Sequence, residues 1–132
     1  MPQKRLPELH ELEREVMLEI WSRRESTVRE VLDGLNARAD KTRAYTTVMT
    51  VMSRLAEKEL LVRRRSGKTD HYSAAMTRAD YEERRAAGEV ANLVDEYGDT
   101  VLVHFARSIQ QLDPERRKEL RRLAGKKPAG GA

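Results

Sequence analysis

The feature that most limits the fold is how little of this chain can be sheet. Only two short runs read as strand, Leu60-Leu61-Val62 and His71-Tyr72-Ser73-Ala74, and Arg63–Asp70 lies between them. Gly67 can supply the turn, so the two runs make one hairpin with a basic tip. A lone hairpin is marginal in water and has to pack on helices. The rest of the chain must provide them.

Three helical patterns precede the hairpin. From about Pro7 to Ser22, Leu9, Leu12, Val16, Met17 and Ile20 recur at helical spacing. Glu11, Arg14, Glu15 and Glu19 fall on the other, solvated side, and Trp21 is expected in the core at the helix end. Glu25-Ser26-Thr27 breaks the pattern, and Thr27 with Glu30 has the spacing of a capping box. A second helix over about Val28–Ala37 buries Val28, Val31, Leu32 and Leu35. A third spans about Tyr45–Lys58. Its β-branched residues favour a strand by propensity, but the spacing of Val48, Val51, Met52 and Leu55 requires a helix. Three helices and a hairpin, in that order, describe a winged helix-turn-helix, whose third helix is the element for the major groove of DNA.

The outward side of the third helix carries the functional reading. With Thr46 at zero and about 100° per residue, Val48, Val51, Met52 and Leu55 fall at roughly 140° to 240°. Thr47, Thr50 and Arg54 fall at roughly 40° to 100°. That side reads as hydroxyls and a guanidinium without a carboxylate, unlike the acid-rich first helix. Threonine hydroxyls can bond phosphate or base edges, their methyls can meet the thymine methyl, and Arg54 can donate to guanine. Tyr45, Thr46, Thr47, Thr50 and Arg54 are therefore the candidate base-facing residues, with Arg43 just ahead of them aimed at the flanking backbone. In the hairpin, strand alternation sends Arg64 to one face and Arg63 and Arg65 to the other. Arg64, Arg65 and Lys68 at the tip are the candidates for phosphate contacts, which position a protein without reading sequence. A winged helix used as a protein–protein module predicts an apolar or acidic outer face instead. A small enzyme or ligand sensor predicts a polar cluster inside an apolar pocket. Neither pattern is present.

Composition narrows the classes further. The pI of about 9.6 suits a nucleic-acid partner, and the basic residues cluster at Arg63–Lys68, far from the acids Glu8–Glu15. With no cysteine there is no disulfide, thiolate metal site or thiol chemistry. His10, His71 and His104 lack ligand spacing, so no metal and no cofactor are expected. No apolar run approaches the roughly 20 residues of a membrane span. The basic start Met1–Arg5 is followed by no hydrophobic signal core. Membrane insertion is not expected, and a cytoplasmic location is.

The second half is helical. Thr77 reads as a cap for a helix from Tyr81 to about Asp95, and Gly98-Asp99-Thr100 interrupts it. Asp113-Pro114-Glu115 is a strong helix start, cap and first turn together. Val90, Leu93, Val94, Val101, Leu102, Phe105 and Ile109 are more apolar residues than isolated helices can carry, so they are expected to join two copies into a homodimer. The alternative, a monomer in which they fold back on the winged helix, predicts their burial within one chain. The organisation expected is thus a winged-helix DNA-binding domain over 1–76, a helical dimerisation domain over 77–124, and a disordered tail over 125–132.

Ala44-Tyr45-Thr46-Thr47-Val48-Met49-Thr50-Val51-Met52-Ser53-Arg54-Leu55, with Lys58 and Leu61-Val62, resembles the recognition-helix segment of the penicillinase repressors (the BlaI/MecI family). Glu13-Arg14-Glu15-Val16-Met17 with Ile20-Trp21, Thr27–Val31, and Tyr72-Ser73 before Thr77-Arg78 are similar to other parts of its pattern. The resemblance covers about residues 7–112. It implies a homodimeric repressor of β-lactamase or related antibiotic-resistance genes, bound to a palindromic double-stranded operator. It also implies release when a membrane sensor signals to a protease that cuts the dimerisation segment. The family's cut lies at an Asn-Phe pair; the matching residues here are His104-Phe105. Glu59 stands where the family usually has glycine after the helix-three lysine, and is expected to tighten or distort the approach to the wing strand. The copper-responsive relatives use C-terminal cysteines, which this chain lacks.

Overall fold

A computed structural model describes residue 6 and residues 9–38 and 42–126. Two compact units divide the chain, one over Pro7–Arg78, the other over Ala79–Ala132 with Met1–Leu6. The element order is α1 (Glu11–Trp21), α2 (Val28–Arg38), α3 (Tyr45–Glu57), β1 (Leu61–Ser66), β2 (Thr69–Ala74), α4 (Arg78–Tyr97), α5 (Asp99–Gln110) and α6 (Pro114–Ala124).

In the first unit, the core is built from the stripes that helical spacing marks. Val16, Met17 and Ile20 of α1 meet Val28, Val31, Leu32 and Leu35 of α2, and Val48, Val51, Met52 and Leu55 of α3. Leu60, Leu61 and Tyr72 close the core from the hairpin side. The Thr27 capping box is complete: the Glu30 N–H donates to Thr27 Oγ1, and the Thr27 N–H donates to Glu30 Oε1.

Four local readings are corrected. First, α1 begins at Glu11 and not near Pro7 (Pro7 itself lies outside the described residues). His10 is the N-cap, and its N–H donates to Glu13 Oε1 at 3.1 Å. Second, the acids of α1 are not all solvated. Glu19 is buried, with its carboxylate paired to Arg23 and Arg38. It occupies the place a Cβ would take at Gly34 on α2, so that glycine makes the burial possible. Glu13 is buried too, and accepts from Lys58 Nζ at 2.7 Å. Third, Trp21 is half-buried rather than in the core, and its indole N–H donates to the Met76 carbonyl at 3.0 Å.

Fourth, the strands are longer than their apolar runs. Arg63–Arg65 are not a loop; they pair with Tyr72, His71 and Asp70 in an antiparallel ladder. The loop is only Gly67-Lys68, with Gly67 at φ 62 and no positive φ at Lys68, the pattern of a II′ turn. Ser26 adds a bridge to Tyr72, with N–H to O distances of 2.8 Å in both directions. That bridge fastens the hairpin to the segment between α1 and α2.

At the end of α3 the chain reverses through a Schellman turn. The Leu60 N–H donates to the Leu55 carbonyl and the Glu59 N–H to the Ala56 carbonyl. Leu55 and Leu60, the usual apolar pair of this motif, are both fully buried. Glu59 takes the left-handed position at φ 65. The motif is complete, so Glu59 leaves the path into β1 undistorted.

In the second unit, Gly98 at φ 57 joins α4 to α5. Asp113 caps α6, its carboxylate accepting from the Arg116 N–H at 2.8 Å, with Pro114 in the first turn. Tyr81 is the one buried residue of α4, and α5 and α6 have none. Of the tail read over 125–132, residues 127–132 lie outside the described residues.

Candidate nucleic-acid interface

The apolar stripe of α3 is spent on the core, which leaves its other sides outward. Thr46, Thr47, Thr50 and Arg54 are all exposed. Among the described residues none of these four side chains has a hydrogen-bond or ion-pair partner. One correction applies to this face. Glu57, the last residue of α3, is exposed, and at about 100° per residue it falls near 20°, in line with Thr46 and Thr50. The face does hold a carboxylate, but at the C-terminal end, three turns from Thr46.

Arg43 does not point outward as expected. Its guanidinium bonds Glu15 Oε2 on α1 at 2.9 Å, and its side chain is only 20% exposed. Its backbone is fixed as well: the Arg43 N–H donates to Asn36 Oδ1, and Asn36 Nδ2 donates to the Arg43 carbonyl. Asn36 and Glu15 thus set the path by which the chain enters α3, a role that sequence spacing does not reveal.

The hairpin register sorts the wing arginines. Arg64 faces away with His71, and Glu25 takes its guanidinium through both Nε and Nη2, at 3.1 and 2.7 Å. Those hydrogen bonds hold the Glu25 carboxyl below its usual range. Arg65 folds back on the turn, donating to the Gly67 carbonyl and lying 3.5 Å from Asp70. Lys68 is exposed at the tip and has no partner among the described residues. Arg63, not singled out from sequence, is the arginine turned toward α3. It donates to Ser53 Oγ at 3.2 Å and lies over the Tyr72 ring, 5.3 Å from its centroid.

Between the hairpin, the first turn of α2 and one side of α3 runs a cleft of about 570 Å³. Arg29, over the Tyr45 ring at 5.2 Å, lines it from α2; Tyr45, Met49 and Ser53 line it from α3; Arg63 and Lys68 line it from the hairpin. Arg29 and Met49 were not anticipated. The signal for Met49 and Ser53 was available, since both fall beside Thr46 at roughly 300° and 340° on the same wheel.

In the second unit the apolar side chains are open to solvent. Val90, Leu102, Phe105 and Ile109 are exposed, as are Tyr97, Val103 and Leu123, which the sequence reading did not name. Leu93, Val94 and Val101 are half-buried. His104 and Phe105 lie in the middle of α5, so the bond between them is in regular helix. Among the described residues no helix is long and apolar enough to cross a membrane, and no three His, Cys, Asp or Glu residues gather as metal ligands.

Residues 9–126 match the protein family described as penicillinase repressor. The transcriptional regulator BlaI of Mycobacterium tuberculosis, in strains CDC 1551 / Oshkosh and ATCC 25618 / H37Rv, is 37% identical over 138 residues. That alignment takes in 97% of this chain and 96% of the relative. Among solved structures, the solution structure of the DNA-binding domain of the repressor BlaI aligns with a TM-score of 0.50 and 26% identity. It spans 58% of this chain and 90% of that one.

Proposed function

The chain belongs to the penicillinase repressor family, and from that premise we propose that it is a homodimeric, sequence-specific repressor that binds a palindromic operator. The observation that carries this reading is the outward face of α3: three threonine hydroxyls and the Arg54 guanidinium, exposed and without partners among the described residues. Such a helix can lie in the major groove. Arg54 then donates two N–H groups of one guanidinium edge to O6 and N7 of a guanine, and the short threonines let the helix axis come close to the bases.

One unit reads few base pairs. Two copies on a palindrome double the contacts, with half-sites spaced by whole turns of DNA, roughly 34–36 Å each. The open apolar residues of α4–α6 support pairing through the second unit. Release by proteolysis at His104–Phe105 would act on that pairing, and requires α5 to unwind there first.

The test is Arg54→Ala, measured by fluorescence anisotropy on the DNA upstream of the protein's own gene and on a random duplex. Affinity for the upstream site should fall by about 1–3 kcal/mol, while the random duplex changes little. Equal binding of the upstream site by wild type and Arg54→Ala would refute the assignment of the reading face.

A further inference from the structure

We propose that the cleft between α3 and the hairpin seats the sugar-phosphate backbone of the bound DNA, held by Arg63 and Arg29. The inference rests on the operator-binding reading and adds to it two positioning residues that the outward face of α3 does not contain. It also moves the wing contact from Arg64 to Arg63.

Position supports it first. Met49 and Ser53 border the cleft and stand next to Thr46 on α3, so a strand leaving the groove that α3 occupies has to pass over this opening. Charge supports it next. Arg29, Arg63 and Lys68 line the cleft against one carboxylate, Asp70, which has Arg65 3.5 Å away. An anion is therefore the matching ligand.

The geometry of the two guanidiniums supports it most. Each lies over a tyrosine ring, Arg29 on Tyr45 and Arg63 on Tyr72. A guanidinium held over a ring face keeps N–H groups to donate, which suits phosphate oxygens; one N–H of Arg63 goes to Ser53 Oγ and the others remain. Among the described residues neither pairs with a carboxylate, whereas Arg64 and Arg43 are taken by Glu25 and Glu15. Thr27 Oγ1 accepts from the Glu30 N–H, which leaves the hydroxyl proton free to donate into the same cleft.

The test uses the full chain, the upstream duplex and a random duplex, titrated over a series of salt concentrations. Arg63→Gln and Arg29→Gln should each weaken both duplexes about tenfold. Each should also flatten the slope of log K against log salt by about one. Arg64→Gln should leave affinity and slope as they are. An unchanged urea transition of Trp21 fluorescence shows that the variants are folded. Wild-type slopes for Arg63→Gln and Arg29→Gln, or a larger loss for Arg64→Gln, would overturn the inference. A wild-type protein without preference for the upstream duplex would defeat the operator reading alone, because the slopes on random DNA still decide the role of the cleft.

Discussion

Glu59 is the one non-glycine among the described residues with a positive φ, and replacing it should stabilise the winged-helix unit. At φ 65 the Cβ of an L-residue crowds its own backbone, at a cost of roughly 1–2 kcal/mol. Glycine removes that cost but returns about 0.5–1 kcal/mol through its greater freedom in the unfolded chain. The carboxylate of Glu59 has no partner among the described residues, so no contact is lost. Glu59→Gly should therefore gain up to about 1.5 kcal/mol, at roughly 4–8 °C in Tm per kcal/mol for a unit of this size. Trp21 is the only tryptophan and lies in this unit, so its fluorescence in urea follows the relevant transition alone. Glu59→Ala, which keeps the Cβ, should gain nothing, and Glu59→Asn should fall between. If Glu59→Ala stabilised as much as Glu59→Gly, the gain would come from removing a charge and the strain argument would be wrong. If Glu59→Gly lowered the midpoint by the full entropic cost of glycine, about 0.5–1 kcal/mol, the left-handed turn would carry no strain.

Phe105→Asp, placed on the exposed apolar side of α5, should leave the chain monomeric at micromolar concentration if the proposed dimer forms through this face, with a loss of about 2 kcal/mol or more in pairing. Sedimentation velocity reads the mass, and a variant that stays dimeric would remove Phe105 from the interface. Acid should weaken the winged-helix unit through Glu13. Burial alone raises its pKa, but the Lys58 hydrogen bond, the His10 N–H and the Lys58 charge together hold it below the ordinary value of 4.5. A carboxyl depressed in the folded state stabilises above its unfolded pKa, and that stabilisation is lost as pH falls through the folded value. The Trp21 transition should thus shift to lower urea below about pH 4.5, and Lys58→Met should make this acid loss smaller. An equal pH profile in the two proteins would exclude the Glu13–Lys58 pair as its source.

The core of the first unit was legible because a helical period leaves no freedom of phase: Val48, Val51, Met52 and Leu55 can be brought together in only one way. The fate of the charges was not. Glu19 read as solvated although Arg23 stands one turn away, because its second cation, Arg38, is 19 residues off on α2; the partner of Glu13, Lys58, is 45 residues off. Only the packing of α1 on α2 and α3 brings them near. The wing lies between these cases. Alternation separates Arg64 from Arg63 and Arg65, but not which face meets the helices. That phase follows from two local facts. A two-residue loop at Gly67-Lys68 pairs Ser66 with Thr69 and therefore Arg63 with Tyr72. Tyr72 is the bulky apolar residue of β2 and has to be buried, so its cross-strand neighbour Arg63 must share the helix-facing side. Reading Arg63–Asp70 as an open tip hid this, because a long loop sets no register. The turn residue, more than the count of arginines, decides which cation stands beside α3.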